Sequence, residues 1–440
     1  MTAVERFREL LSIPTVSRVD PAEVDDGAFA RFHAALERLY PLLHASLERE
    51  VIAGRSLLYR WRGRTDEAPL LLLAHQDVVP VDGQHWRHPA FSAEITGEGA
   101  DAEIHARGAI DDKGALVAIF EAVEQALADG MTPRADVWLA FGHDEETRGT
   151  GALALAALLA ERGVRPALVL DEGGAVVEGA VPGVSAPTAM IGVAERGVAT
   201  FDLVTREAGG HASTPPRLPA TARLARAIDR VRRRPFPRRL VPPVRAMLAT
   251  AAEHTSEPLR TVFRRTAVTA PAVTAALSLL GAETNALVRT TAVVTRLEGS
   301  AGENVLATTA RATLNVRLLT GETLSDVSVH LSRAIADPEV DIELRHGSDP
   351  SPVSPWRGEA WRRLAGVVSQ TLGDDVVPLP YLQLGASDSR FYTGLTDAVY
   401  RFAPFHLTRA ERDALHAPDE RIRVDVWLRG IRFYRALLES

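Results

Sequence analysis

The stretch Leu70-Leu-Leu-Leu-Ala-His75-Gln-Asp77 decides the fold class of this chain. Its first five residues form a continuous apolar run, which is typical of a parallel strand buried on both faces. Similar runs are Val137 to Phe141, before Asp144-Glu145-Glu146, and Ala167 to Leu170, before Asp171. Open α/β sheets bind ligands at the carboxyl ends of such strands. The sequence therefore predicts an α/β fold whose strand ends gather imidazole and carboxylate groups.

A further acidic segment lies between the first two strands. Arg107-Gly-Ala-Ile-Asp111-Asp112-Lys-Gly opens an alanine-rich helical pattern, so Asp111 stands where a turn enters a helix. Its two oxygens could bridge two cations, whereas an acidic residue such as Asp112 has an ordinary explanation in offsetting the helix macrodipole. So many carboxylates at one sheet edge repel one another unless cations neutralise them. We therefore expect a metal cluster.

The spacing of the remaining polar groups suggests roles for them. His75 and Asp77 project from the same face of a strand, and metal-bound imidazoles usually donate their second N–H to a carboxylate, a role that suits Asp77. Glu145 and Glu146 diverge, so one can bind metal while the other takes a proton from a metal-bound water. Each pair also has a plain alternative, a solvated turn or a charged loop, and Asp171 alone would suit a turn.

Length and composition place the chain among ordinary enzymes. Its 440 residues favour two domains, and 46% hydrophobic residues allow a sizeable core. A formal charge of -7 gives no electrostatic case for nucleic acid or an anionic membrane. The lack of cysteine removes thiolate ligands and fits a cytoplasmic protein. The segment Met1 to Leu11 has charges at helical spacing, unlike a signal peptide, and no long apolar run predicts a membrane span.

The order of predicted elements divides the chain. Residues 1–195 and 348–440 alternate strands and helices, which predicts a discontinuous domain with a mostly parallel sheet covered by helices. Residues 196–347 read strand-helix-strand-strand-helix-strand, the ferredoxin-like α+β order, which predicts an inserted domain. The helical, proline-containing stretch of about 232–283 interrupts that order, and we interpret it as an extra insertion within this second domain.

Four motifs taken together resemble a known family. They are Leu73-Ala-His75-Gln-Asp77-Val-Val-Pro-Val, Arg107-Gly-Ala-Ile-Asp111-Asp112-Lys-Gly, Asp144-Glu145-Glu146 and Gly209-Gly-His211-Ala-Ser. This set is similar to the dizinc metallopeptidase family of aminoacylase, acetylornithine deacetylase, succinyl-diaminopimelate desuccinylase and glutamate carboxypeptidase. The helical insertion and Leu415-His416-Ala-Pro-Asp-Glu420-Arg-Ile resemble its carboxypeptidase S and N-acyl-amino-acid hydrolase branch most. The resemblance implies a zinc-peptidase-like catalytic domain with an inserted lid and dimerisation domain.

The resemblance also implies roles for individual residues. Asp111 would bridge two zinc ions, one held by His75 and Asp171 and the other by Glu146 and His416. Glu145 would act as general base and acid. His211 would reach the active site of a partner subunit and stabilise the oxyanion, which implies a homodimer. The residues implied in substrate binding are Asn304, Arg317, Gly385 and Ser387.

We therefore expect a metal-dependent hydrolase that cleaves an amide or peptide bond adjacent to a free carboxylate, with a short peptide or N-acyl amino acid as substrate. Zinc suits imidazole and carboxylate ligands, and manganese or cobalt stay open. Two alternatives are a deacylase dedicated to one biosynthetic intermediate and a noncatalytic ligand-binding relative. Leu306-Ala307, where the family often has Ile-Pro, bears on substrate specificity.

Overall fold

The structure, a computed structural model, describes residues 1–440. Its strands are β1 (Glu48–Ile52), β2 (Ser56–Trp61), β3 (Leu70–His75), β4 (Glu94–Thr96), β5 (Glu103–His105), β6 (Val137–Gly142), β7 (Leu168–Val177), β8 (Thr188–Glu195), β9 (Gly197–Arg206), β10 (Gly210–His211), β11 (Thr291–Glu298), β12 (Val305–Leu306), β13 (Thr309–Leu318), β14 (Val340–Ser348), β15 (Val377–Gln383), β16 (Val399–His406) and β17 (Arg421–Arg423).

The α-helices are α1 (Ala3–Leu11), α2 (Asp26–Leu39), α3 (Pro41–Ser46), α4 (Lys113–Ala128), α5 (Thr150–Glu161), α6 (Ala220–Arg233), α7 (Pro242–Ala251), α8 (Leu259–Arg264), α9 (Thr266–Leu280), α10 (Ala282–Ala286), α11 (Leu324–Ile335), α12 (Glu359–Leu372), α13 (Arg409–Asp413) and α14 (Val424–Glu439). None of them combines the length and the apolar character that crossing a membrane would require.

An eight-stranded sheet forms the centre of the larger domain, in the order β1-β2-β6-β3-β7-β16-β8-β15. Strand β3 is parallel to both β6 and β7, as the apolar runs predicted, and His75 lies opposite Gly142 in the register. All six residues of β3 and of β6 are buried. The carboxyl ends of these neighbouring strands therefore open at the same edge of the sheet.

A second sheet of four antiparallel strands is built between Gly197 and Ser348, in the order β14-β9-β13-β11. With α6 and α11, the chain order is strand-helix-strand-strand-helix-strand, the ferredoxin-like arrangement. The core of this domain is separate from that of the larger sheet. Phe201 and Leu314 from the sheet pack there with Leu224 of α6 and Leu331 of α11.

The helical stretch of about 232–283 lies between α6 and β11 along the chain, and much of it packs on the larger domain. Val244, Met247 and Leu248 of α7 are buried in the core of the larger domain, which also contains Leu379 and Leu382 of β15. The stretch is inserted in the small domain along the chain; Phe236 packs in the core of that domain, whereas helices α7 to α9 pack on the larger domain. Helical periodicity identifies an apolar face, but it does not identify the surface which that face covers.

Candidate active site

Two groups of potential metal ligands meet at the open edge of the large sheet, and they share Asp111. We call His75, Asp111 and Glu172 the strand group, because β3 and β7 supply its first and last members. We call Asp111, Glu146 and His416 the loop group, because its imidazole lies on the segment between α13 and β17. The ligand atoms within each group all lie within 4.8 Å of one another.

The strand group surrounds a buried imidazole. The Nε2 atom of His75 lies 3.0 Å from Oδ1 of Asp111 and 3.7 Å from Oε1 of Glu172. The Nδ1 atom lies 2.9 Å from the backbone carbonyl oxygen of Asp77. A hydrogen bond from Nδ1 to that carbonyl fixes the tautomer in which Nε2 carries a free lone pair, the form that a metal requires.

The loop group uses the second oxygen of Asp111. The Nε2 atom of His416 lies 3.0 Å from Oδ2 of Asp111 and 3.1 Å from Oε2 of Glu146. The other carboxylate oxygen of Glu146 is buried without a hydrogen-bond partner. The two oxygens of Asp111 thus face two different imidazoles, which is the arrangement of a bridging carboxylate. An unpartnered buried oxygen among imidazole and carboxylate groups fits a divalent cation.

The structure brings Glu172, rather than the expected Asp171, into the strand group. Strand β7 continues to Val177 instead of ending at Leu170, and Glu172 lies where the pairing of β7 with β16 is irregular, between Asp171 and Gly174. The Oδ2 atom of Asp171 accepts a hydrogen bond of 2.7 Å from the backbone N–H of Ser389. Glu172 is therefore an alternative to Asp171 as the third ligand of this group. Glu172 could have been considered from the sequence, because it follows Asp171 directly and either carboxylate of such a pair can bind a metal ion.

Asp77 holds two parts of the site in register. Its carboxylate accepts the backbone N–H groups of Glu145 at 3.1 Å and of Glu146 at 3.2 Å. Its Oδ1 atom lies 3.4 Å from Nδ1 of His75, while its own carbonyl oxygen is the nearer partner of that ring. Hydrogen bonding to His75 lowers the pKa of Asp77 despite burial. The residue therefore stays ionised and links β3 to the turn after β6.

The site concentrates negative charge away from water. Burial raises the pKa of Glu145 and of Glu172 well above the usual range, and neighbouring carboxylates add to both increases. Burial, reinforced by Asp111, raises the pKa of Glu146 to about 7. Hydrogen bonds to Asp111 and Glu146 raise the pKa of His416 to about 10. Without cations, this cluster retains protons that divalent metal ions would displace.

Arg317 lies near both the Arg390 guanidinium and the Glu145 carboxylate. Burial and the nearby Arg390 guanidinium lower the pKa of Arg317, while the Glu145 carboxylate acts in the opposite direction. Arg317 belongs to the small domain and Arg390 to the large one, so the two domains bring cations to the same region. Arg390 was not among the residues predicted from the sequence, although it follows the Gly385-Ala-Ser387 loop by three residues. Its position close to this predicted substrate-binding loop could have identified it as a candidate.

The loop before Arg390 contains the other two predicted substrate residues. Ser387 is buried, and its backbone N–H and hydroxyl both donate to Oε2 of Glu195, at 3.1 and 3.2 Å. Its hydroxyl therefore anchors the loop. Gly385 is exposed.

His211 and Asn304 lie together, but both are exposed on the small domain. His211 is in β10, which pairs with β12, and the backbone N–H of Ala212 donates to the carbonyl oxygen of Asn304 at 2.9 Å. The nearest side-chain partner of His211 is the Ser213 hydroxyl, 2.7 Å from Nδ1. Within one chain, neither residue joins the two ligand groups.

Comparisons with known proteins show what the chain is similar to. A sequence profile of peptidase family M20/M25/M40 matches residues 71–440. The chain is 32% identical to the N-fatty-acyl-amino acid synthase/hydrolase PM20D1 of Xenopus tropicalis, over 99% of this chain and 85% of that protein. It is 30% identical to carboxypeptidase S of Saccharomyces cerevisiae, over 98% and 83%. An M20 metallo-carboxypeptidase from Sulfolobus solfataricus superposes with a TM-score of 0.71 at 18% identity, over 100% of this chain and 98% of that one.

The fold and the shared carboxylate site define a metal-dependent hydrolase. The chain belongs to peptidase family M20/M25/M40, and its relatives include both N-acyl-amino-acid hydrolase and carboxypeptidase S. It is therefore a metal-dependent enzyme that hydrolyses amide bonds, and the resemblance inferred from the motifs is confirmed.

Proposed function

We propose that this enzyme uses two zinc ions to hydrolyse the amide bond of a short peptide or N-acyl amino acid next to a free carboxylate. The observation that carries the proposal is Asp111, whose two oxygens lie 3.0 Å from the imidazoles of His75 and His416. Glu172 would be the third ligand of the zinc ion at His75, and Glu146 would be the third ligand of the zinc ion at His416. Nitrogen and oxygen ligands without thiolate suit zinc, and manganese or cobalt would also fit.

Glu145 is our candidate for the general base and acid. The two ions would supply Lewis acidity at the scissile carbonyl and a water of lowered pKa. Glu145 then accepts the proton of the attacking water, and the C–N bond breaks as Glu145 passes that proton to the leaving nitrogen. The Asp77 carboxylate supports this role, because it holds the backbone N–H of Glu145 at 3.1 Å.

The substrate carboxylate is assigned from the charges beside Glu145. Arg317, which lies near Glu145, and the neighbouring Arg390 are both cations, and guanidinium groups bind carboxylates through paired hydrogen bonds. The relatives point to the same class, since one is named for N-fatty-acyl amino acids and another is a carboxypeptidase. Gly385, in the exposed loop beside Arg390, would leave room for the carboxylate end of the substrate.

A substrate panel with metal analysis tests this proposal. Dipeptides and N-acyl amino acids would be compared with the same compounds carrying a C-terminal amide, before and after chelation and zinc addition. We expect two metal ions per chain and hydrolysis of the free acids far above that of the amides. Equal hydrolysis of acids and amides would remove the carboxylate requirement. Turnover of only one N-acyl compound would instead favour a dedicated deacylase.

We also propose that the chain is a homodimer in which His211 completes the site of the partner subunit. Its exposure beside Asn304, outside both ligand groups of its own chain, supports a role across an interface. His211→Ala should retain zinc and fold while losing about a hundredfold to a thousandfold in turnover, as removal of one oxyanion donor typically does. Mixing His211→Ala with Glu145→Gln should restore part of the activity, because one site in each hybrid has both groups. Inactive hybrids, after subunit exchange is verified, would contradict the assignment.

A further inference from the structure

The buried carboxylate of Glu420 stands four residues after His416 and contacts the turn that carries Asp111. Its Oε1 atom accepts the backbone N–H groups of Ile110 at 2.8 Å and of Asp111 at 3.2 Å. Its Oε2 atom accepts the backbone N–H of Gly108 at 3.1 Å. The side chain of Glu420 therefore shapes the turn from which the shared carboxylate projects.

Arg107 joins the same carboxylate to the backbone around His416. Its Nη1 atom donates to Oε2 of Glu420 at 2.6 Å, and its Nη2 atom donates to the carbonyl oxygen of Ala417 at 3.1 Å. Nη2 also donates to Oε1 of Gln84, whose own amide nitrogen donates to the carbonyl oxygen of His416 at 3.0 Å. One connected set of hydrogen bonds thus spans both sides of the loop group.

The segment that carries His416 has a backbone conformation that its surroundings must stabilise. His416 and Asp419 have φ values of 61° and 62°, in the left-handed region that non-glycine residues adopt only when their surroundings impose it. The His416 side chain is 53% exposed, so packing does little to fix its ring. By contrast, Glu420 and Arg107 are 0% and 1% exposed. The buried groups of this region are therefore Glu420 and Arg107, and not the His416 imidazole itself.

We propose that Glu420 and Arg107 form a positioning pair that sets the geometry of the loop group. The pair thereby governs binding of the metal ion at that group, which we call the second metal ion. The inference rests on the proposed two-metal function and adds residues that contact neither metal nor substrate. An ion pair important only for folding would lower stability without distinguishing the two metal positions. A positioning pair selectively weakens the position that contains His416, because the strand group is built on β3 and β7.

Glu420→Gln is the direct test. The amide keeps one acceptor but presents an NH₂ group to either the Arg107 guanidinium or the turn N–H groups, so the network cannot stay intact. Zinc titration against a chromophoric chelator should show one unchanged site and one weakened about tenfold to a hundredfold, the usual effect of losing an outer partner of a ligand. A high zinc concentration should fill the weakened site of this variant and thereby restore its turnover.

Glu121→Gln is the matched control, because Glu121 is also a buried partner of an arginine. Its Oε1 atom accepts a hydrogen bond from Nε of Arg6 at 2.7 Å, and the residue lies on α4 and belongs to neither ligand group. Its variant should lose stability with both zinc affinities unchanged. Gln84→Leu removes the hydrogen bond to the His416 carbonyl and the one that Gln84 accepts from Arg107, but it leaves Glu420 and Arg107 in place. It should weaken the second site in the same direction, which keeps the test open if Glu420→Gln does not fold.

The outcomes separate the two proposals. Wild-type protein that binds fewer than two zinc ions would overturn the two-metal function itself. Wild-type protein with two sites, but with unchanged affinities in Glu420→Gln or, where that variant does not fold, in Gln84→Leu, would overturn only the positioning role. Equal weakening of both sites in the folded variant would also overturn it.

Discussion

The two ligand groups share Asp111 but differ in how the protein holds their imidazoles. His75 ends a fully buried strand, and its side chain is 1% exposed. His416 lies on a loop in a left-handed conformation, and its side chain is 53% exposed. The strand group is thus preorganised by the sheet, while the loop group depends on hydrogen bonds from neighbouring segments. We expect the metal ion at the strand group to bind more tightly and the metal ion at the loop group to exchange more readily.

The residue that the two groups share should give the largest effect. Asp111→Ala removes one ligand from each group and the negative charge that separates two cations. We expect loss of both zinc ions after dialysis and a fall in turnover of about a thousandfold or more, since metal activation supplies several kcal/mol. Metal analysis and hydrolysis assays check this, with the exposed Asp129→Ala as control. Retention of one tightly bound ion would contradict the bridging role.

Glu145→Gln should separate catalysis from metal binding, because Glu145 belongs to neither group. An amide cannot accept the proton of the attacking water, so we expect a loss of about a hundredfold to ten-thousandfold in turnover with both metals retained. Glu146→Gln is the matched control, and it should lose the metal of the loop group. Near-normal turnover in metal-replete Glu145→Gln would remove the assigned role.

The strand group can be tested with neighbouring residues of β7. Glu172→Gln should weaken zinc binding at one position, since an amide is a poor substitute for an ionised ligand. Asp171→Asn should retain both ions and change mainly stability, because Asp171 bonds the Ser389 backbone. Zinc titrations of the two variants measure the contrast. The reverse order of affinities would restore Asp171 as the ligand.

The smallest expected effect is a pH dependence of the metal-free protein. The pKa of Glu146 is raised from 4.5 to about 7, so folding binds protons and stability falls as the pH rises through that interval. The pKa of His416 is raised from 6.5 to about 10, so its contribution is also lost as the pH rises through that range. We therefore expect the metal-free protein to lose stability between pH 5 and 8.

Zinc-loaded protein should show a weaker or opposite trend, because metal binding favours deprotonated ligands. Thermal unfolding of chelated and zinc-loaded samples across pH 5 to 8 provides the comparison. Parallel trends in the two samples would show that the cluster does not control the dependence.

Much of the architecture follows from local sequence patterns. Continuous apolar runs predicted β3 and β6 as buried parallel strands, because strands covered on both faces need no polar alternation. The alternation of elements predicted the ferredoxin-like order between Gly197 and Ser348. The site could be anticipated too, since polar residues directly after buried strands must emerge at the sheet edge. His75 ends β3 and Glu146 lies in the turn after β6, and both lie near Asp111.

Tertiary structure decided what depends on the exact end of a strand or on packing partners. Strand β7 extends past Leu170 with an irregularity in its pairing to β16, and this backbone path brings the Glu172 carboxylate into the strand group. The apolar face of α7 could have covered either domain, and only the folded chain places it against β15. The contact of Glu420 with the Asp111 turn joins residues more than 300 positions apart. The sequence by itself determined the elements and the chemistry of the site, because both arise from local patterns. The tertiary structure alone decided these long-range pairings, since they depend on how separate surfaces fit together.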